Sequence, residues 1–270
     1  TLNGRWQIIV DPLENGYYNH RYQPRDDGYF KNAKMQKPTD LIEYDFDTDE
    51  ELMVPGDWNT QLDKLYYYEG TVWYKKSFDF MEKKKQLTYL YFEAINYDAK
   101  VYLNGEYLGS HIGGYTPFQF EVSAKLKAKD NFLVVKVDNK RKREAVPTVN
   151  TDWWNYGGIT RSVHLVNVPK QHIADYVVRL SKDKPNTIEG WVLLSGSQPN
   201  DKLTLAITEL GKKTTLKVDA EGKANFSFTA NPTKWSPKNP KVYEVTISSD
   251  SDKLTDQIGF RTIETKGSDI

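Results

Sequence analysis

The chain has 270 residues, enough for about two domains, and its 38% hydrophobic, 27% charged and 13% aromatic content excludes general disorder. Its 37 basic and 37 acidic side chains cancel and the sequence pI is about 6.9, which argues against nucleic acid or an anionic membrane surface as a dedicated partner. Cysteine is absent, which excludes disulfides, thiolate nucleophiles and cysteine-held zinc or iron–sulfur centres, and no apolar run approaches the roughly 20 residues of a membrane span.

The sequence opens on Thr1 rather than Met, so the expectation is a start inside a longer reading frame or after processing. A periplasmic or extracellular location follows if a leader once preceded Thr1. In chain order the pattern is one of strands. Asn15–Asp40 is polar and tyrosine-rich and reads as a long surface excursion, and the short acidic Asp47–Leu52 stretch gives at most one helical turn. Leu87–Phe92 is an apolar and aromatic run. Lys100–Leu103 alternates, meets the tight-turn pair Asn104-Gly105 and resumes at Glu106–Leu108. Phe132–Val137 and Ser162–Val166 are further strands, and no window of about 12 residues carries a helical apolar period. Lys140–Asp152 is a long loop whose Lys140-Arg-Lys-Arg143 tetrad reads as a solvated turn rather than an anion site. A boundary falls near Val168-Pro-Lys170, beyond which aromatics thin out. Seven strands then follow: Ile173–Leu180, Ile188–Leu194, Leu203–Glu209, Thr214–Val218, Ala224–Thr229, Val242–Ser248 and Leu254–Phe260. That spacing suits an immunoglobulin-like sandwich. The reading is an all-β chain of two domains, 1–169 and 170–270, the first a sandwich or jelly roll.

Catalytic signatures are scarce. Gly-x-Ser-x-Gly, the P-loop and Gly-x-Gly-x-x-Gly are all missing. The four histidines, His20, His111, His164 and His172, lack metal-ligand spacing, so no metal site is expected. The 37 acidic residues allow many carboxylate pairs and select none. One stretch is suggestive, Asn150-Thr-Asp-Trp-Trp-Asn-Tyr-Gly-Gly-Ile-Thr-Arg161. Neighbouring strand side chains alternate faces, so Trp153 and Trp154 share one core only if the backbone is irregular. Indoles beside the Asp152 carboxylate and the Asn155 amide suit a sugar, since a carboxylate accepts from vicinal hydroxyls and an indole face packs on pyranose C–H groups. The other reading of these residues is a tryptophan corner with Asp152 capping the loop.

Five ordered motifs carry a family resemblance. They are Val54-Pro-Gly-Asp-Trp-Asn59, Glu69-Gly-Thr-Val-Trp-Tyr-Lys-Lys-Ser-Phe78, Ala99-Lys-Val-Tyr-Leu-Asn-Gly105, His111-Ile-Gly-Gly-Tyr-Thr-Pro-Phe118 and Asp152-Trp-Trp-Asn-Tyr-Gly-Gly-Ile-Thr-Arg161. With the opening Leu2-Asn-Gly-Arg-Trp6 they resemble the N-terminal sugar-binding domain of glycoside hydrolase family 2, which includes β-galactosidases, β-glucuronidases and β-mannosidases. Trp235-Ser-Pro-Lys-Asn-Pro240 and Gly259-Phe-Arg-Thr-Ile-Glu264 resemble the end of that family's immunoglobulin-like second domain. The pattern leans toward the β-glucuronidase branch, although Gly157 stands where some members carry Ala or Ser.

The resemblance implies a galactose-binding-like jelly roll followed by an immunoglobulin-like sandwich. It also implies that both catalytic glutamates lie on a (β/α)8 barrel beyond Ile270, so no catalytic residue is expected in this chain and that barrel is an expected partner. A β-glycoside is the expected ligand, no cofactor is expected, and the domains would also supply homo-oligomer contacts. Asp152 matches the family position near the non-reducing sugar, with Trp154, Asn155 and Trp153 as further candidates for the same wall. Asn104-Gly105 and Gly113-Gly114 are assigned to turns and Arg161 to a structural ion pair. The function expected is the non-catalytic N-terminal part of a retaining exo-β-glycosidase. A free-standing carbohydrate-binding module is the alternative, and a structural or adhesive protein a third reading. Asn225-Phe-Ser227 is a glycosylation sequon by pattern alone.

Overall fold

The computed structural model describes residues 1–14, 46, 50–81, 85–263 and 267. Among them the chain forms two units, Thr1–Asn167 and Val168–Ile270, built of strands with two single 3-10 turns and no α-helix. The first unit holds β1 (Gly4–Asp11), β2 (Glu51–Val54), β3 (Thr71–Phe78), β4 (Gln86–Phe92), β5 (Asp98–Leu103), β6 (Glu106–Ile112), β7 (Phe118–Glu121), β8 (Asn131–Asp138) and β9 (Val163–Pro169). Six of them form a sheet in the order β2-β1-β3-β8-β5-β6, and three form a second sheet, β7-β4-β9.

Alternation of side chains explains the layering. Trp6 and Ile8 of β1, Val72 and Tyr74 of β3, Val101 and Leu103 of β5, and Leu133, Val135 and Val137 of β8 project from one face of the large sheet. They join Leu90 and Phe92 of β4 and Val163 of β9 in a single buried cluster, which makes the unit a two-layer sandwich. Strand β8 is buried nearly throughout because its other face is covered too: Val134 packs with Ile9, Trp73, Tyr102 and Phe46 in a smaller cluster. The β5–β6 hairpin turns at Asn104 (φ 54°) and Gly105 (φ 89°), the two positive angles of a type I′ turn.

The second unit holds β10 (His172–Leu180), β11 (Thr187–Ser195), β12 (Lys202–Ile207), β13 (Lys212–Lys217), β14 (Lys223–Thr229), β15 (Tyr243–Ser248) and β16 (Lys253–Ile258). They pair as β10-β11-β14 and β13-β12-β15-β16, the three-plus-four division of an immunoglobulin-like sandwich. Its core takes Val178, Ile188, Val192 and Leu194 from one sheet and Leu203, Leu205, Val245 and Ile247 from the other.

All seven strands expected in this unit are present. Leu203–Glu209 is shorter than expected, because the chain turns at Thr208–Leu210 and leaves through Gly211 at φ 60°. In the first unit Glu51 and Leu52 lie in β2, not in a helical turn, paired with Gln7 and Trp6 of β1. The expected Asn15–Asp40 excursion lies outside the described residues.

Candidate functional site

The segment 155–161 is not part of a strand, yet it is fixed on both sides. Toward the Val54–Asn59 motif, Gly56 N–H donates to the Ile159 carbonyl and Trp58 N–H to the Gly157 carbonyl, both at 2.9 Å. On the other side Asn96 and Gly158 exchange two backbone hydrogen bonds, at 2.9 and 3.0 Å, and Arg161 N–H reaches the Ala94 carbonyl at 3.3 Å. Two of the motifs, far apart in sequence, are therefore laced together. Gly157 makes this approach feasible, since a Cβ there would lie 2.1 Å from Trp58 Cζ2 and 2.6 Å from Asn139 Nδ2.

Four buried asparagines, Asn59, Asn96, Asn139 and Asn155, complete the scaffold. The Asn59 amide donates to the carbonyls of Leu65, Tyr66 and Tyr68 at 3.0, 3.3 and 3.1 Å, while its oxygen accepts from Gly157 N–H at 3.0 Å. One side chain thus holds the 65–68 turn against the 157 segment. Asn139 accepts from Gly70 N–H at 2.9 Å and donates to the Asn155 carbonyl at 2.8 Å, and the Asn155 amide donates back to the Asn139 carbonyl. Asn96 donates to Asn155 Oδ1 at 3.2 Å and to the Tyr156 carbonyl. A buried amide is retained at such positions because it supplies a donor and an acceptor to backbone groups that would otherwise be buried unpaired.

Above this scaffold lies a cleft of about 100 Å³ lined by Asn59, Tyr66, Tyr67, Glu69, Arg141, Trp154 and Asn155. A self-sufficient small-molecule site runs to roughly 300–1,000 Å³, so the cleft has the size of one wall of a site rather than a whole one. Its rim is aromatic. Trp154 packs on Tyr66 at 5.0 Å, Tyr67 at 5.5 Å and Tyr156 at 6.1 Å between ring centroids. All four rings are exposed. Behind them the Tyr68 phenol donates to the Thr71 carbonyl at 2.9 Å, and burial, reinforced by the Asp11 charge, raises its pKa well above the usual phenol value.

The expected site residues separate into two groups. Trp154 and Asn155 both line the cleft, Trp154 as an exposed ring and Asn155 as a buried amide engaged by Asn96 and Asn139. Asp152 and Trp153 stand in solvent on the loop just before it, and among the described residues neither side chain has a hydrogen bond or ring partner. The loop itself is held by Arg141, whose guanidinium donates to the carbonyls of Thr151 and Trp153 and pairs with Glu69.

This corrects the reading of the basic tetrad as a solvated turn. Lys140 pairs with Glu14 at 3.5 Å, Arg141 with Glu69 at 2.9 Å and Lys142 with Asp98 at 3.2 Å, so three of its four side chains fasten the loop. The ion pair assigned to Arg161 is not formed among the described residues; that side chain is exposed, and Arg141 is the paired arginine of the site. Glu14 also meets Lys136 at 3.0 Å and the Thr71 hydroxyl at 2.9 Å. Burial acts to raise its pKa, but those partners outweigh it and hold the carboxyl down at about 2. Sequence reading missed Tyr66, Tyr67, Glu69, Arg141 and three of the scaffold asparagines, Asn59, Asn96 and Asn139. The Tyr66-Tyr-Tyr68 run and the Val54–Asn59 motif were the available signals, but neither shows which loop it meets. Among the described residues no cluster of histidine and carboxylate groups could hold a metal ion, and no helix is long and apolar enough to cross a membrane.

Comparison with known proteins identifies the family of both units. Residues 1–169 match the model of the glycosyl hydrolases family 2 sugar binding domain, and residues 171–261 match a second model of glycosyl hydrolases family 2. The chain belongs to glycosyl hydrolase family 2. It is 31% identical over 247 residues to a provisionally named β-glucuronidase of Formosa agariphila, an alignment covering 80% of this chain and 28% of that protein. It is 29% identical over 262 residues to a β-galactosidase of Thermoanaerobacter pseudethanolicus, covering 84% and 34%. A solved structure of Bifidobacterium dentium β-glucuronidase, complexed with coumarin-3-O-glucuronide, shares the fold at a TM-score of 0.73 and 24% identity, covering 98% of this chain and 48% of that one. This family 2 chain thus spans about a quarter to a third of the length of those two curated relatives. The family's two N-terminal all-β domains are the part it contains.

Proposed function

We propose that this chain is the non-catalytic N-terminal part of a retaining exo-β-glycosidase of β-glucuronidase or β-galactosidase type. In this reading its first unit forms one wall of the active-site mouth. The observation that carries the reading is the shallow cleft: an aromatic rim on a rigid asparagine scaffold, beside an unpaired exposed carboxylate at Asp152. Asp152 accepts hydrogen bonds from hydroxyls of the non-reducing sugar, Trp154 offers its indole face to the C–H side of the ring, and Trp153 extends the same wall. Asn155, with its amide committed inward, fixes Trp154 rather than reaching the ligand. A carboxylate that takes two hydroxyls at the closed end of a pocket favours removal of terminal sugars.

The acid and the nucleophile of a retaining mechanism, two carboxyl groups about 5–5.5 Å apart, belong to the rest of the complete protein. The full-length relatives and the wall-sized cleft support this division of labour. The test is to express the complete reading frame and assay it on aryl β-glucuronide, β-galactoside and β-mannoside, with and without Asp152→Ala. Turnover of one substrate is expected. Because a charge-assisted hydrogen bond shielded from water is worth roughly 1.5–3 kcal/mol, the variant's kcat/KM should fall about ten- to hundredfold. A complete protein inert on all three, with the 270-residue chain binding sugar in titration, would replace this reading with a free-standing carbohydrate-binding module.

A further inference from the structure

We infer that Arg141 is a positioning residue that sets the place of Asp152 by clamping the peptide groups on both sides of it. Its Nη1 donates to the Thr151 carbonyl at 2.8 Å and its Nη2 to the Trp153 carbonyl at 3.0 Å. Its Nε donates to Glu69 Oε1 at 2.9 Å. The three bonds use three directions of one planar group, a geometry a lysine ammonium on its flexible stem does not reproduce. The side chain is 21% exposed: its bond to the Thr151 carbonyl is partly buried, while those to the Trp153 carbonyl and to Glu69 face solvent.

The clamp stands on a fixed base. Asn139, two residues before Arg141, is tied to Gly70 N–H and to the Asn155 carbonyl. Gly70 in turn follows Glu69, the carboxylate that orients the guanidinium. The same pair of buried side-chain-to-backbone bonds therefore ties the neighbour of Glu69 to the segment that follows the loop Arg141 holds. Lys140 and Lys142, on either side, point to Glu14 and Asp98 and bond neither carbonyl. Asp152 has no side-chain partner of its own among the described residues. With both neighbouring carbonyls fixed, its remaining freedom is rotation of a short side chain, and its carboxylate is held over a small volume before any ligand arrives. Arg141 touches no ligand in this scheme; it acts through the loop.

This inference rests on the reading of Asp152 as a sugar contact, and its test separates the two. In the complete protein, Arg141→Ala, Arg141→Lys, Asp152→Ala and the double variant Arg141→Ala/Asp152→Ala are compared for kcat, KM, melting temperature and amide exchange of the 150–155 peptide. Arg141→Ala should raise KM roughly ten- to hundredfold, speed exchange in that peptide and leave exchange in β3 and β8 unchanged. Arg141→Lys should recover only part of the loss. The double variant should be no worse than Asp152→Ala alone. If Asp152→Ala leaves kcat/KM unchanged, the reading of Asp152 fails and the clamp falls with it. If Asp152→Ala weakens the enzyme while Arg141→Ala leaves KM and exchange untouched, the clamp is refuted and the reading of Asp152 survives. Full additivity of the two losses, or faster exchange throughout the first unit, would mark Arg141 as a general stabilising residue and also overturn the inference.

Discussion

The two units reach the same kind of sandwich by different means. Among the described residues ten buried polar or charged side chains belong to the first unit, from Asp11 to Asn155, and two, His172 and Ser181, to the second. In the second unit alternating apolar strands do nearly all of the work. In the first, the strands make the core and buried amides then hold loops that no strand ladder holds. Burying a polar group is unfavourable unless it is hydrogen-bonded, so a fold carries many only where loops must be held in one place. In the first unit buried asparagines such as Asn59, Asn139 and Asn155 hold loops that lie outside the strand ladders.

The sharpest way to break this contrast is to remove one amide. Asn139→Ala leaves Gly70 N–H and the Asn155 carbonyl buried without their partners. At about 1–3 kcal/mol for each unpaired group, the first unit should lose roughly 2–6 kcal/mol. Asn139→Asp should also be costly, because its carboxylate would face the Asn155 carbonyl in place of a donor. A shape-conserving exchange in the second unit, Leu205→Met, should cost under about 1.5 kcal/mol. Native-state hydrogen exchange distinguishes the units, with β3 and β8 reporting the first and β11 and β12 the second. Equal losses in both would remove the distinction.

A smaller effect is expected from crowding at the crossing of the motifs. Gly157→Ala places a Cβ 2.1 Å from the fully buried Trp58 ring, and overpacking of this kind costs about 1–3 kcal/mol. Because the backbone bonds of Gly157 and Trp58 run through the same contact, faster exchange should appear at Trp58 and Gly157 before the strands. An unchanged melting temperature would mean that the loop yields, contrary to a scaffold locked by four asparagines.

These cases also show what sequence can and cannot convey. All seven strands of the second unit were legible because each buries one face, and alternation such as Leu203, Leu205 and Ile207 records that face directly. The Asn104-Gly105 hairpin was legible because only certain residues accept two successive positive φ angles. The family was legible from ordered motifs. The role of Asn59 was not, since its partners Leu65, Tyr66, Tyr68 and Gly157 include one 98 residues away. Nor was that of Arg141: within Lys140-Arg-Lys-Arg143 the basic residues look alike, and only the fold assigns each its carboxylate. Long-range hydrogen bonds leave no periodic trace in a sequence.

Acid offers a gentler test of the same contrast. The Glu14 carboxyl has its pKa lowered from 4.5 to about 2 in the folded protein, against burial, by its bonds to Lys136 and Thr71 and the charge of Lys140. Its stabilising contribution is therefore complete above about pH 4.5 and is lost as the pH falls from there to about 2. The carboxylate is partly exposed, so the effect is modest and screened by salt. Glu14→Gln should flatten the acid limb of the first unit's stability between those values and leave that of the second unit unchanged. A Glu14→Gln protein with the same acid limb as the parent would show that other carboxylates govern it.

The least disruptive change should be at the rim. Trp153 is 77% exposed and packs on no other ring among the described residues, so Trp153→Ala should change stability by no more than about 0.5 kcal/mol. Trp154 is the internal control, because its ring meets Tyr66, Tyr67 and Tyr156, and contacts of this kind add about 0.5–1.5 kcal/mol each when well packed. Trp154→Ala should therefore cost more than Trp153→Ala. A thermal scan of both variants beside the parent decides the order. If Trp153→Ala proves the more costly, its indole is packed rather than displayed.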